Sequence, residues 1–308
     1  VVQYFPSVDY LRQVLTGVVD LVTPGGYIYI GDVRSLPLLE AFHLSVQMAR
    51  APDDLPVQDL WQRVREGVFQ EEELVLAPEF FFALQQHVPG ISRVEILPKH
   101  GRTSNEMLKF RYDVILHIED QTAPIVACEW IEWQDGEMTL SDIRQVLSNG
   151  ADSALGVRDV PNRRVATEVK ALSLIEAGTF EGNVGELRAT LNGRGVDPQD
   201  VWALAAELGY QAQIDWRSGA AHYDVIFYHD GESFICEEEH IAPRPWQDYA
   251  NDPAQGVLAR RLVPQLREFL QAKLPQHMLP SLYVMLEALP LTPSGKVDYG
   301  SLPAPDGS

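Results

Sequence analysis

Apolar residues at Leu11, Val14, Leu15, Val18, Val19 and Val22 keep a helical period over residues 10–22, which Pro24-Gly25-Gly26 stops. Tyr27-Ile28-Tyr29-Ile30 then reads as a short strand, with Gly31-Asp32 opening a loop at its C-terminal end. Helical patterns return over residues 36–50, with Pro37 in a tolerated first turn, and over residues 57–68. Another helix runs from Pro78-Glu79 through Val88, where proline and an acidic neighbour suit a first turn and Pro89-Gly90 ends it. Residues 92–98 and 108–118 read as two strands joined by a polar loop over residues 99–106. The order helix, turn, strand, loop, helix predicts the later part of an α/β sheet.

The pattern over residues 127–228 is more mixed. Strands are predicted at residues 126–133, 163–169, 212–216 and 223–228, and helices at residues 140–147 and 184–191. Asp197-Pro198-Gln199-Asp200 caps a further helix over residues 201–208 that Gly209 closes. This stretch reads as an α+β module added to the sheet. Residues 243–256, with three prolines and Asn251-Asp252, read as a linker. Beyond it lie an amphipathic helix over residues 257–274, a short strand over residues 281–285 and a turn-rich tail.

Composition narrows the function classes. The formal charge of −20 opposes binding to phosphate backbones and anionic lipid, so neither nucleic acid nor a membrane surface is expected as a partner. No run of eighteen apolar residues suggests a membrane span. Cys128 and Cys236 stand far apart, with no ligand spacing for zinc, so no metal is expected and a reducing cytoplasm is the expected compartment. Cys128 reads as a reduced core residue and Cys236, before Glu237-Glu238-Glu239, as part of a solvated loop. The start, Val1-Val2-Gln3-Tyr4-Phe5-Pro6, has neither an initiator Met nor a signal peptide and reads as cut from something longer.

The tail carries the most specific pattern. Leu274-Pro275-Gln276-His277-Met278-Leu279-Pro280, Leu289-Pro290-Leu291-Thr292-Pro293-Ser294-Gly295-Lys296-Val297-Asp298 and Leu302-Pro303-Ala304-Pro305 follow in order. They resemble the last blocks of the adenylation domains of nonribosomal peptide synthetases. Lys296 matches that family's catalytic lysine, a compact cation on a Gly/Pro-bounded loop that can stabilise charge as a carboxylate joins the α-phosphate of ATP. Tyr299-Gly300 and His277 depart from the family pattern without touching the lysine.

The front resembles the methyltransferase that some synthetases carry inside the adenylation domain. The likeness rests on residues 1–7, on Gly31-Asp32-Val33-Arg34-Ser35 through His43, on Asn105-Glu106 with Phe110 to Val114, and on Val196-Asp197-Pro198 with Trp202 and Leu208-Gly209-Tyr210. It implies the second half of a Rossmann-like class I sheet with an α+β addition, at residues 1–245. A small α+β adenylation segment follows at residues 246–308. It further implies methyl transfer from S-adenosylmethionine to a carrier-bound aminoacyl thioester, with the acceptor held by residues beyond strand ends. Gln3, Tyr4, Asp32, Arg34, Glu40, His43, Asn105 and Glu106 are the candidates for that side.

The implied partners are a peptidyl carrier domain with its phosphopantetheine arm, the adenylation core with ATP and magnesium, and the upstream methyltransferase half. The Gly-rich cofactor loop and the ribose-binding acid would lie in that upstream half. Each candidate also has a plain structural reading. Tyr4 and Phe5 can pack under a helix, Asp32 can cap a loop, Arg34 and Glu40 can form a surface ion pair, and His43 can fill space. Asn105 and Glu106 can shape a turn. The alternatives to a synthetase piece are a catalytically incomplete structural or docking fragment and a free-standing small-molecule methyltransferase.

Overall fold

The computed structural model describes residues 2–119, 128–149, 154–216, 220–229, 242, 244–280, 289, 291–292, 295–299 and 302. Two compact units divide the chain, Val1–Pro253 and Ala254–Ser308.

In the first unit Ser7 accepts a hydrogen bond from the Tyr10 amide and so caps α1 (Val8–Val19), which leads into β1 (Tyr27–Arg34). Three helices follow, α2 (Leu39–Arg50), α3 (Val57–Phe69) and α4 (Glu79–His87), then β2 (Ile91–Pro98). A short helix, α5 (Glu106–Phe110), turns the chain into β3 (Arg111–Ile118). β3 lies between β1 and β2 and runs antiparallel to both, so β1 and β2 are parallel to each other. The chain continues through β4 (Cys128–Glu132), α6 (Leu140–Ser148), β5 (Ala154–Pro161), α7 (Ala166–Glu176), α8 (Val184–Thr190), α9 (Pro198–Leu208), β6 (Gln211–Asp215) and β7 (His222–Tyr228). The second sheet has the order β4-β5-β7-β6, with β4 and β5 parallel and β7 antiparallel to its neighbours. The architecture is thus α/β with mixed, partly parallel sheet, consistent with a Rossmann-like arrangement. One apolar core joins both sheets, from Leu11, Phe80 and Val114 to Val157, Trp216 and Val225.

Several elements differ from the pattern reading. Asp32 does not open a loop. It sits inside β1 at a bulge, where the register shifts between Ile30 and Val33 and its φ is +62°. Asp tolerates that left-handed conformation better than most residues. The stretch 163–169, predicted as a strand, is the approach to α7 and its first turn. The strand lies earlier, at β5, where Gly156, a second bulge and Pro161 hide the alternation. Residues 108–110 belong to α5, not to the strand after it.

The linker-like stretch is built into the first unit as far as Pro253. Tyr249 is fully buried, and Trp246 packs edge-on to Phe80 with ring centroids 5.7 Å apart. The second unit holds most of α10 (Pro253–Gln271) and a one-turn 3-10 helix at Gln276–Met278. The strand expected over residues 281–285 and the loop with Cys236 to Glu239 lie outside the described residues. No described helix is long and apolar enough to cross a membrane.

Candidate functional site

The C-terminal end of β1 delivers Arg34 into the interior, where the residue is 6% exposed. A buried guanidinium needs carboxylate partners. Both come from the segment between α3 and α4: Nη1 lies 2.9 Å from Glu71 Oε1 and 3.0 Å from Glu73 Oε2. Arg34 also lies over the Phe42 ring, 4.6 Å from its centroid, and its Nη2 has no hydrogen-bond partner. His43, one turn into α2, places Nε2 3.1 Å from Glu71 Oε2. Behind the ring stands Gly67 of α3, where an added Cβ would lie 2.6 Å from His43 Nδ1. That close approach explains a glycine inside a helix, at a cost of about 1 kcal/mol against alanine.

Glu71 is therefore saturated: Arg34, His43 and the Glu73 amide all reach it. Burial raises the proton affinity of its carboxyl, but hydrogen bonds from His43 and Arg34, together with the Arg34 charge, outweigh burial and hold the pKa at about 2. Glu73 is the more open carboxylate, with its side chain 31% exposed against 9% for Glu71. Gln3 donates to Glu73 Oε1 at 3.0 Å and accepts from Arg111 Nη1 at 3.2 Å. The backbone of this segment is clamped too. The Leu74 amide donates to Gln3 O, the Leu76 amide donates to Arg34 O, and Asn251 bonds both Glu73 O and the Val75 amide.

The structure brings Gln3, Arg34 and His43 together, joined by Glu71, Glu73 and Arg111. Glu106 reaches the rim of this group through Arg111 at 3.4 Å. Asp32 belongs to a separate cluster. Lys99 Nζ bridges it and Asp113 at 2.5 and 2.7 Å, and Asp113 also accepts from the Asp32 amide. Burial opposes the charge on Lys99, but its two carboxylate partners prevail and raise its pKa. Glu40 makes no pair with Arg34. It is exposed on α2 beside Glu176. Tyr4 is 74% exposed, and Asn105 caps α5 by accepting from the Leu108 amide at 3.0 Å. Among the described residues no group of three or more His, Cys, Asp or Glu could hold a metal ion.

Glu71, Glu73, Arg111 and Asn251 escaped the pattern reading. Glu71-Glu72-Glu73 looks like a solvated charge run. The available signal was its abrupt change into Leu74-Val75-Leu76, all three of which are buried.

In the second unit Lys296 is exposed on a tight turn. The Thr292 amide donates to Lys296 O at 2.7 Å, Gly295 takes φ +80°, and Leu291 bridges Val297. The preceding Pro293-Ser294 and the last block after Leu302 lie outside the described residues.

No family model matches the chain. Comparison with characterised proteins is informative. Chondramide synthase cmdD of Chondromyces crocatus is 36% identical over 99% of this chain, which covers 8% of that protein. The nonribosomal peptide synthetase asqK of Emericella nidulans is 30% identical over 97% of this chain and 12% of its own length. The beauvericin nonribosomal cyclodepsipeptide synthetase of Beauveria bassiana is 30% identical over 98% of this chain and 10% of its own length. The likeness runs through both units, so the chain is homologous, nearly end to end, to a segment spanning about a tenth of these peptide synthetases.

Proposed function

We propose that the chain is the acceptor-holding half of a methyltransferase embedded in an adenylation domain, followed by the end of that adenylation domain. The observation that carries this reading is the buried Arg34–Glu71–His43 group presenting Glu73 at the C-terminal end of β1, where ligands sit in open α/β sheets. S-adenosylmethionine, when bound, supplies the methyl group. Residues of this chain fit the other side of the reaction: one partly exposed carboxylate among fixed donors suits an amine.

Glu73 orients the amine of a carrier-bound aminoacyl thioester and accepts its proton. Arg34, Glu71, His43, Gln3 and Asn251 are positioning residues, since each acts through Glu73 or its backbone. His43 has one ring nitrogen on Glu71 and the other against Gly67, which leaves it poorly placed to reach an acceptor itself. Lys296, solvent-facing on its turn, closes onto the adenylation core during carboxylate activation.

The two halves separate experimentally in the intact synthetase module. Lys296→Ala is expected to abolish amino-acid-dependent pyrophosphate exchange yet leave methylation of a preloaded carrier intact. Glu73→Gln is expected to do the reverse. If both variants keep both activities, the assignment fails.

A further inference from the structure

Where α2 packs against α7 there is a cavity of about 430 Å³. Ser45, Met48 and Ala49 of α2 line it, with Thr167 and Glu168 of α7 and Arg188 of α8. All three helices belong to the first unit. Glu168 is the unusual wall. The residue is 7% exposed, and its Oε1 accepts from Lys109 Nζ at 2.7 Å. Oε2 is shielded from solvent too, and no donor among the described residues reaches it. Lys109 does not line the cavity, so the oxygen it leaves over is the one turned towards it. A buried carboxylate oxygen without a donor is costly.

The fold does not require a carboxylate at this place. The passages from β1 into α2 and from β5 into α7 are built alike. Ser35 bridges Leu76 and Asn162 bridges Val196, both in parallel. Three residues further on, Leu38 and Val165 are buried and immediately precede the two helices. Leu44 and Ala171, at matching places one to two turns later, are fully buried as well. Between these anchors Glu168 falls where α2 has Ala41, which is also fully buried. An acid is favoured in the first turn of a helix, but α2 meets that preference with Glu40, which is exposed. The inward carboxylate of α7 therefore has a cause other than helix formation.

The charges around the cavity are already balanced. Lys109 pairs with Glu168, and Arg188 pairs with Asp53 while donating to Met48 O and Ala51 O. Burying a further charge here would cost more than it gains. An uncharged donor suits Oε2, the Ser45 and Thr167 hydroxyls can each donate or accept, and the Met48 side chain adapts to an apolar neighbour.

We propose that this cavity binds a small uncharged amide with an apolar body, the chemistry of a blocked amino acid or short peptide. Its N–H donates to Glu168 Oε2, its carbonyl accepts from the Ser45 or Thr167 hydroxyl, and its apolar part lies on Met48 and Ala49. None of these residues belongs to the Arg34 group, so the site stands whether or not the chain takes part in methyl transfer.

The test is a titration of N-acetyl-L-leucinamide into the 308-residue chain with isotope-labelled methionine methyl groups, followed by NMR. Met48→Leu identifies the Met48 signal. That signal is expected to shift saturably, with a Kd of about 1 mM, while those of the other methionines stay in place. L-leucine, which carries both charges of a free amino acid, should bind about tenfold more weakly or worse. Glu168→Gln puts a donor in place of the acceptor, and Ala49→Leu fills the cavity from an exposed helical position where leucine suits the fold. Each should weaken binding about tenfold or more. Ala49→Leu leaves the Glu168–Lys109 pair intact, so its result does not depend on how well Glu168→Gln folds. A Met48 signal that stays put or shifts without saturating overturns the proposal. So does undiminished binding by Ala49→Leu, or binding of L-leucine as strong as that of the amide.

Discussion

Replacing Arg34 with Met removes the one cation that serves both Glu71 and Glu73, at 2.9 and 3.0 Å, while roughly keeping the buried volume. The size of the effect follows from Glu71. A carboxyl held at about 2 against an ordinary 4.5 contributes about 3 kcal/mol to stability at neutral pH, at about 1.4 kcal/mol for each tenfold change in proton affinity. Because the folded pKa is depressed, this stability is present above about pH 4.5 and is lost as pH falls towards 2. Arg34→Met leaves Glu71, 9% exposed, with a buried charge and a single side-chain partner, His43. A loss of about 3–5 kcal/mol is expected at pH 7.

The gap should narrow below pH 4, where protonation relieves the stranded carboxylates. Urea unfolding followed by circular dichroism at a series of pH values measures both quantities. Arg102→Met is the control: its pair with Asp200 is exposed on both sides, so about 1 kcal/mol or less is expected. A gap under about 1 kcal/mol at pH 7, or one that does not change with pH, would refute the reading of Arg34 as the keystone of the group.

Three further outcomes follow from other contacts. Gly67→Ala, which would stabilise an ordinary helix by about 1 kcal/mol, is expected to destabilise by about 1–3 kcal/mol because its Cβ meets the His43 ring; a raised melting temperature would contradict the packing. Asp113→Ala and Asp224→Ala each strip the acceptor from a bulge amide and should cost about 1–3 kcal/mol in urea unfolding. Asp113→Ala should cost more because Lys99 also loses a partner 2.7 Å away, and equal losses would count against that role. Lys296→Ala removes an exposed side chain from the second unit, so unfolding should stay within about 0.5 kcal/mol of the parent.

Much of the fold was legible because local chemistry and tertiary packing agree. Asp197 caps the helix it precedes, Gly209 ends α9 in the left-handed region, and Leu11, Leu15 and Val19 of the predicted period lie on the buried face of α1. The failures have specific causes. β5 contains Gly156, an Asp159 bulge and Pro161, each of which breaks strand alternation, and neighbouring strands impose the extended form. Residues 163–169 carry β-branched side chains, yet Arg164 is pinned by Asp197 and by the carbonyls of Lys99 and Gly101, which sets the entry to α7. Of the candidate site, Gln3, Arg34 and His43 could be named from sequence, but not what unites them. Glu71 and Glu73 read as solvent-facing charge until a buried guanidinium is placed between them, and Asn251 sits in a stretch with the composition of a linker.

The most direct test of the account is the single-turnover rate of methyl transfer from S-adenosylmethionine to a preloaded aminoacyl carrier, measured in the intact module with Glu73→Gln and with His43→Gln. If Glu73 holds the acceptor, Glu73→Gln should slow transfer by about a hundredfold or more, and His43→Gln should slow it less, because Arg34 still holds Glu73 in place. A Glu73→Gln module that methylates at the parent rate would contradict the assignment.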